Sequence, residues 1–225
     1  MTRFLDEGTF RLSAEEFELI QQNALVKSYK RGEILLRETE RADGLYIIKA
    51  GYVKVFRESE NGREKILAIL TGGDVLGEMG MFRPHLRSAS AKALEATVAW
   101  FLPHSKFEEF LRKIPAFGLR ITEILTERLR DANKQNAQLV NCNSSEKVLY
   151  QLFDVAKAHG RPHKKGTIIH PRLTHHDFAS LAGVARETVT KVFNELKEEG
   201  LITLEHRRVI VRDLEGLEAR IRPEG

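Results

Sequence analysis

The stretch that decides the fold is LTHHDFASLAGVARETVTKVFNELKEEGLI, residues 173–202. It predicts two helices joined by a tight turn, because Thr174 is a typical N-cap residue and Gly183 can adopt the positive φ that ends the first helix. Ala179 is small enough for two crossing helices to approach each other, and Val189 packs the second helix back on the first. This spacing of Ala, Gly and Val is typical of a helix-turn-helix.

The second helix, predicted over residues 186–199, has an apolar side and a polar side. Most polar helix sides are simply solvated. At the start of a recognition helix, however, Arg, Glu and Lys match base edges in the major groove, and the following segment ITLEHRRVIVRD predicts a wing with phosphate-binding Arg. The predicted DNA-binding residues are Thr174, Arg186, Glu187, Thr190, Lys191, Arg207 and Arg208.

A long helix precedes this module. After Pro103 the apolar residues keep helical spacing for more than thirty residues, with Pro115 as the expected first residue of the main helix. One set of positions alternates by four and three, which is the spacing of a coiled-coil seam, and we predict a parallel homodimer. The alternative is a helix lying on its own domain. The predicted interface residues are Leu125, Leu129, Ala132, Asn136 and Leu139.

The first half of the chain alternates with period two between residues 30 and 102, which predicts an antiparallel β-roll or barrel. A short helix with the capping-box residues Ser13 and Glu16 leads into it, and another helix, capped by Ser144 or Ser145, follows the long one. The predicted fold class is α+β. Its parts are an N-terminal jelly-roll-like β-roll for an effector (1–113), a long dimerisation helix (114–142) and a C-terminal winged helix-turn-helix (143–225).

One loop of the predicted roll, LGEMGMFRPHLRSASA at residues 76–91, is unusually polar. Gly77 lets backbone N–H groups approach an anion, and Arg87 can bind phosphate oxygens with Ser88 beside it. Glu78 can accept a ribose 2′-OH. These residues predict a pocket for a cyclic nucleotide; in the alternative interpretation, Glu78 and Arg87 pair with each other across the loop. The expected solvent-side lid is Arg83, Pro84 and His85.

Composition limits the remaining functions. The single Cys142 excludes a disulfide framework and a cysteine-ligated cluster, and we expect no metal site because the His residues are scattered. A formal net charge of +4 permits a nucleic-acid partner without requiring one. No apolar run is long enough to cross a membrane, and no catalytic constellation is visible. We therefore expect a cytoplasmic protein that is not an enzyme.

Together, the roll sequence, the GE motif nine residues before RSA and the downstream RETVTK resemble bacterial regulators of the cAMP receptor protein and FNR (Crp/Fnr) family. The resemblance covers nearly the full length. It implies a homodimer that reads a palindromic operator in double-stranded DNA, with RNA polymerase as a further partner. It places Gly77, Glu78, Arg87 and Ser88 on the nucleotide contacts, with Val55, Leu67 and Ala68 nearby in the roll.

Two positions depart from the family pattern. Where cAMP-responsive members have a Thr-Ser pair on the long helix, this chain has Ala132 and Asn133, and of these only Asn133 can hydrogen-bond a purine. Lys191 also replaces an Arg. We therefore expect a DNA-binding regulator gated by a small anionic effector such as cAMP or cGMP. The open alternatives are a regulator active without ligand and a nucleotide-binding module that regulates protein partners.

Overall fold

The computed structural model describes residues 13–82 and 86–221. The chain forms two compact units: residues up to 57 together with 67–133, and residues 58–66 together with 134 onward. The N-terminal unit carries the β-roll and the C-terminal unit carries the helix-turn-helix, so fold class and element order are those that the sequence predicts. No described helix is both long enough and apolar enough to span a membrane.

Two antiparallel four-stranded sheets build the roll, in the orders β1-β8-β3-β6 and β2-β7-β4-β5. A helix α1 precedes them, with the predicted capping box between Ser13 and Glu16. The bounds are α1 Ala14–Gln22, β1 Leu25–Tyr29, β2 Ile34–Leu36, β3 Gly44–Ala50, β4 Tyr52–Glu58, β5 Glu64–Thr71, β6 Val75–Leu76, β7 Ser90–Ala93 and β8 Thr97–Pro103.

Strand β3 shows why the roll holds together. Leu45 and Ile47 pack on one side with the helices of this unit, whereas Tyr46 and Ile48 pack on the other side in the roll interior. Successive side chains of a strand point to opposite faces, so a strand covered on both faces has a continuous apolar run. The run LYII is therefore buried throughout.

Two helices close the N-terminal unit: α2, His104–Lys113, and α3, Pro115–Asn141, which begins at the predicted Pro115. Phe107, Phe110 and Phe117 are almost fully buried and pack edge to face, which fixes the corner between the two helices. Beyond Ile121 the helix is increasingly exposed.

The predicted dimer seam lies on this exposed part of α3. Leu129 has 62% of its surface exposed, and Ala132 and Asn136 are exposed as well, which leaves them available for a partner helix. Leu125 instead packs partly against the core of its own unit. The side chain of Leu139 lies outside the described structure, and the seam as a whole stays a prediction.

Among the described residues, four further helices and one sheet of order β11-β12-β10-β9 belong to the C-terminal unit. Its first helix is capped by Asn143 rather than by the predicted Ser144 or Ser145, because the Asn143 side chain accepts hydrogen bonds from two backbone N–H groups ahead of it. The bounds are α4 Ser144–His159, β9 Gly160–His163, β10 Gly166–Ile169, α5 His175–Ala182, α6 Arg186–Glu198, β11 Ile202–Glu205, β12 Arg208–Val211 and α7 Leu214–Ile221.

The helix-turn-helix is confirmed. Thr174 caps α5 in a capping box with Asp177, and Gly183 ends that helix with φ 67°. Helix α6 ends one residue before the predicted Glu199. Ala179 and Val189 are both buried where the helices meet.

Candidate effector pocket and DNA-reading surface

The polar loop of the roll begins with Gly77, which has φ 85° and precedes a single 3-10 turn, Glu78–Gly80. A Cβ atom at Gly77 would lie 2.6 Å from Nη1 of Arg87. Both the positive φ and this close approach require glycine. Gly77 thus allows the Arg87 guanidinium to lie directly against the backbone of the turn.

Glu78 is fully buried. Its Oε1 accepts a hydrogen bond of 2.6 Å from Nη1 of Arg128 on α3, and Nη2 of the same Arg donates to the Val75 carbonyl. Oε2 has no hydrogen-bond partner among the described residues. Burial raises the pKa of Glu78, and the nearby Arg128 opposes this shift. A buried carboxylate oxygen without a partner is a position where a ligand hydroxyl would be stabilised.

Arg87 is held on three sides by its own chain. Nη2 donates to Asp43 Oδ1 and to the Gly44 carbonyl, both at 2.7 Å, and Nη1 donates to the Gly77 carbonyl at 3.1 Å. The Arg87 side chain is 3% exposed, whereas Asp43 is 66% exposed. The alternative that Glu78 and Arg87 pair with each other is therefore wrong, because each has a different partner.

The other predicted effector residues surround this loop to different degrees. Val55 and Ala68 pack against the core of the roll interior, and Leu67 lies more at the surface. Ser88 is exposed, and its Oγ lies 3.7 Å from Met79 Sδ. The predicted lid residues Arg83, Pro84 and His85 lie outside the described residues.

Asn133 is exposed on α3, and its side chain makes no hydrogen bond to any described residue. Arg128 of α3 contacts the loop, and no sequence pattern singles it out: it lies off the predicted seam, and an isolated Arg on a long helix is usually solvated. Its only sequence clue is its position five residues before Asn133, on the helix predicted to face the effector.

On the DNA-reading side, the inner side of helix α6 is tightly packed within the C-terminal unit. Val189, Val192, Phe193 and Leu196 are at most 2% exposed. The Phe193 ring packs edge to face on both His175 and Phe178, with ring centroids 5.1 Å apart in each case. Such packing fixes the orientation of the helix and hence of the side chains on its outer side.

The outer side of α6 presents Arg186, Glu187 and Lys191 to solvent. Thr190 is half-buried: its hydroxyl donates to the Arg186 carbonyl at 3.1 Å and lies 3.0 Å from Nδ1 of His175. The Thr190 hydroxyl thus braces α6 against α5, and its predicted contact with a base stays a prediction. Burial, followed by the charges of Lys197 and Arg186, lowers the pKa of His175.

The remaining predicted DNA contacts flank α6. The Thr174 hydroxyl accepts a hydrogen bond from the Asp177 backbone and donates to the Asp177 carboxylate, so it serves as the helix cap. Arg207 is exposed at the tip of the wing, and Arg208 is half-buried at the start of β12. His206 and Arg207 have φ of 46° and 61°, and each such non-glycine residue costs about 1–3 kcal/mol of strain.

Known proteins match this arrangement. The cyclic nucleotide-binding domain family matches residues 26–114, and the Crp-like helix-turn-helix domain family matches residues 146–220. A CRP-like cAMP-activated global transcriptional regulator from Mycobacterium tuberculosis is 31% identical over 86% of this chain and 87% of its own length. The cyclic AMP receptor protein of Thermus thermophilus is 31% identical over 92% of this chain and 93% of its own.

A solved structure shows the same fold. The c-di-GMP responsive global regulator CLP of Xanthomonas campestris superimposes with a TM-score of 0.79 at 21% identity, over 89% of this chain and 100% of that chain. The relatives are transcription regulators and not enzymes.

Proposed function

We propose, from the premise that this chain belongs to the Crp/Fnr family of DNA-binding transcription regulators, that it acts as a homodimer on a palindromic operator and is gated by a cyclic nucleotide. In this proposal two α6 helices enter successive major grooves about 34 Å apart. RNA polymerase is the further partner that the family implies.

The DNA side of the proposal is supported by the exposed start of α6. Arg186 can donate two hydrogen bonds to a guanine, and Glu187 can accept from a cytosine amino group. Lys191 lies one turn further along the same exposed side. Each good base contact discriminates against a wrong base by about 1–3 kcal/mol.

Gating is supported by one observation, that Oε2 of buried Glu78 has no hydrogen-bond partner among the described residues. A ribose 2′-OH donating to Oε2 would satisfy this oxygen, and the cyclic phosphate would then lie toward Arg87 and Ser88. Oε1 of the same carboxylate is bound to Arg128 of α3. A ligand that binds Glu78 would therefore act directly on this contact with α3. Asn133 of the same helix would contact the base, and so would Asn133 of the partner subunit.

The test measures operator binding by fluorescence anisotropy, with an operator selected from a random DNA library. The full chain is titrated without ligand and with cAMP, cGMP or a cyclic dinucleotide, and thermal shifts are recorded with the same ligands. We expect one nucleotide both to stabilise the protein and to raise operator affinity, and by linkage DNA must then raise nucleotide affinity equally. If Arg87→Leu leaves both effects intact, the pocket does not bind the effector.

A second candidate, a regulator active without ligand, is favoured by the contacts of Arg87. Asp43 already pairs with this guanidinium, and two backbone carbonyls accept two more of its five N–H donors. Tight operator binding by the unliganded protein, unchanged by every nucleotide in the panel, would support this candidate against gating.

A further inference from the structure

Two short arms of the polar loop meet beside the predicted nucleotide contacts. One arm is the turn at residues 77–80, and the other is formed by Arg87 and Ser88. Nη1 of Arg87 donates to the Gly77 carbonyl at 3.1 Å. Oγ of Ser88 donates to Sδ of Met79 at 3.7 Å. The thioether of Met79 is therefore the acceptor for a hydroxyl that the proposed function assigns to the cyclic phosphate.

Met79 is open to solvent, whereas the other described Met is protected. Met79 has 55% of its surface exposed. Met81, two residues later, is 2% exposed and packs in the apolar core of the N-terminal unit. An oxidant must reach the sulfur atom in order to react with it. The same turn thus carries one accessible thioether and one protected thioether.

Hydroperoxides oxidise an accessible thioether to a sulfoxide. With hydrogen peroxide, a lone pair of the sulfur attacks one oxygen, so that an S–O bond forms and the O–O bond breaks. The leaving hydroxide takes the proton of the transferred oxygen and becomes water. Sulfur loses two electrons and the peroxide gains them. The product is a polar, chiral side chain, and methionine sulfoxide reductases restore the thioether.

A sulfoxide at Met79 would compete with a bound phosphate for Ser88. A thioether sulfur is only a weak acceptor, and a hydroxyl has a single proton to donate. The sulfoxide oxygen carries partial negative charge and accepts hydrogen bonds more strongly than sulfur does. Once the Ser88 proton is donated to this oxygen, it is no longer available to the phosphate, and the negative end of the S–O dipole repels the anion.

We propose that Met79 is a reversible oxidation site through which hydroperoxides lower the nucleotide affinity of the effector pocket. This inference rests on the proposed function, because it assigns a second input to the same pocket. Oxidation decreases the fraction of protein that holds nucleotide, and by linkage it decreases operator binding as well. Reduction of the sulfoxide reverses both effects.

The experiment uses the full chain with Cys142→Ser, which removes the only thiol as a second target. The protein is treated with hydrogen peroxide, and peptide mass spectrometry quantifies the sulfoxide at Met79 and Met81. Calorimetry measures the affinity for cAMP, cGMP and a cyclic dinucleotide before and after treatment. Met79 should be oxidised first, and affinity should fall at least about tenfold, as expected for one hydrogen bond to a charged group. Methionine sulfoxide reductases should restore it.

Three variants make the result specific to one sulfur atom. Met79→Leu has no thioether, so its nucleotide affinity should be the same before and after peroxide. Met79→Gln places an amide oxygen near the position of the sulfoxide oxygen and should bind nucleotide as weakly as the oxidised protein does, without peroxide. Met81→Leu keeps the volume of the core and should keep the response to peroxide.

The outcomes separate this inference from the proposed function. Complete oxidation of Met79 with unaltered affinity would overturn the inference, and so would a Met79 that resists peroxide. An equal loss of affinity in peroxide-treated Met79→Leu would assign the effect to another residue and overturn it as well. If the untreated protein binds none of the three nucleotides, the proposed gating itself fails, and this inference fails with it.

Discussion

The effector pocket and the DNA-reading surface hold their polar groups in opposite ways. In the pocket, Glu78 and Arg87 are buried and already hydrogen-bonded within the chain. On the DNA side, Arg186 and Glu187 are exposed on a helix whose other side is buried. A ligand in the pocket therefore meets groups that are already bound to other elements, with Glu78 Oε2 unpartnered among the described residues, whereas DNA meets side chains that are free to bind.

This difference has a consequence for regulation. A site that exchanges internal contacts can transmit binding, because the released or satisfied groups belong to other elements; Arg128 belongs to α3, and Asp43 precedes β3. A preformed exposed surface responds instead to salt and to base identity. The pocket is thus suited to switching and the recognition helix to reading.

The largest effect is expected for Glu78→Gln. A hydrogen bond to a charged group contributes about 1.5–3 kcal/mol, so nucleotide affinity should fall roughly 10- to 150-fold in a calorimetric titration. The melting temperature at neutral pH should not fall. The raised pKa of Glu78 means that its ionised form destabilises the fold as pH rises through that pKa, and Gln removes this cost.

Glu108→Gln on the exposed side of α2 serves as its control and should leave nucleotide affinity unchanged. Unaltered affinity in Glu78→Gln would mean that the buried carboxylate does not contact the ligand, and the contrast between pocket and reading surface would lose its basis.

Glu187→Ala should change which base pair is preferred rather than whether DNA is bound. Discrimination at one operator position should fall by about 1–3 kcal/mol, measured with single-base operator variants. Total affinity should stay level or rise, because a negative charge near phosphates is removed. Glu198→Ala, at the far end of α6, should leave base preference intact; equal effects of both variants would refute base reading by Glu187.

Asp43→Asn tests the contact that occupies Arg87. Because Asp43 is largely exposed, its pairing is screened, and we expect nucleotide affinity to rise only about two- to fivefold, as suits a pair of at most about 1 kcal/mol. Isothermal titration calorimetry would measure this nucleotide affinity, with Glu40→Gln in the same loop as the control variant. Weaker binding in Asp43→Asn would show that Asp43 positions Arg87 for the ligand instead of competing with it.

The smallest effect concerns His175. Its pKa is lowered in the fold, so the unfolded chain takes up the proton first; stability is full above the usual value of about 6.5 and is lost as pH falls through the lower folded pKa. Urea midpoints between pH 7 and pH 5 should therefore fall less steeply in His175→Gln than in the wild type. Identical slopes in the two proteins would exclude His175 as a cause of the loss of stability at low pH.

Much of the fold follows from short-range patterns in the sequence. Thr174, Gly183 and Pro115 occupy the helix ends that their residue types favour, and the apolar residues of α6 face inward at the predicted spacing. Short-range patterns do not select the cap of α4: Asn143 precedes two serines, and any of the three is an acceptable cap. Only the path of the chain selects among them.

The sequence by itself determined the β-roll, the long helix, the helix-turn-helix and the identity of the polar loop, because periodicity and capping depend on sterics within a few residues. Tertiary structure alone decided the partners: Glu78 with Arg128, 50 residues apart, Arg87 with Asp43, 44 apart, and Lys165 with Glu205, 40 apart. Hydrogen bonds require distances of about 3 Å and defined angles, and only the packing of whole elements brings such distant groups within that range.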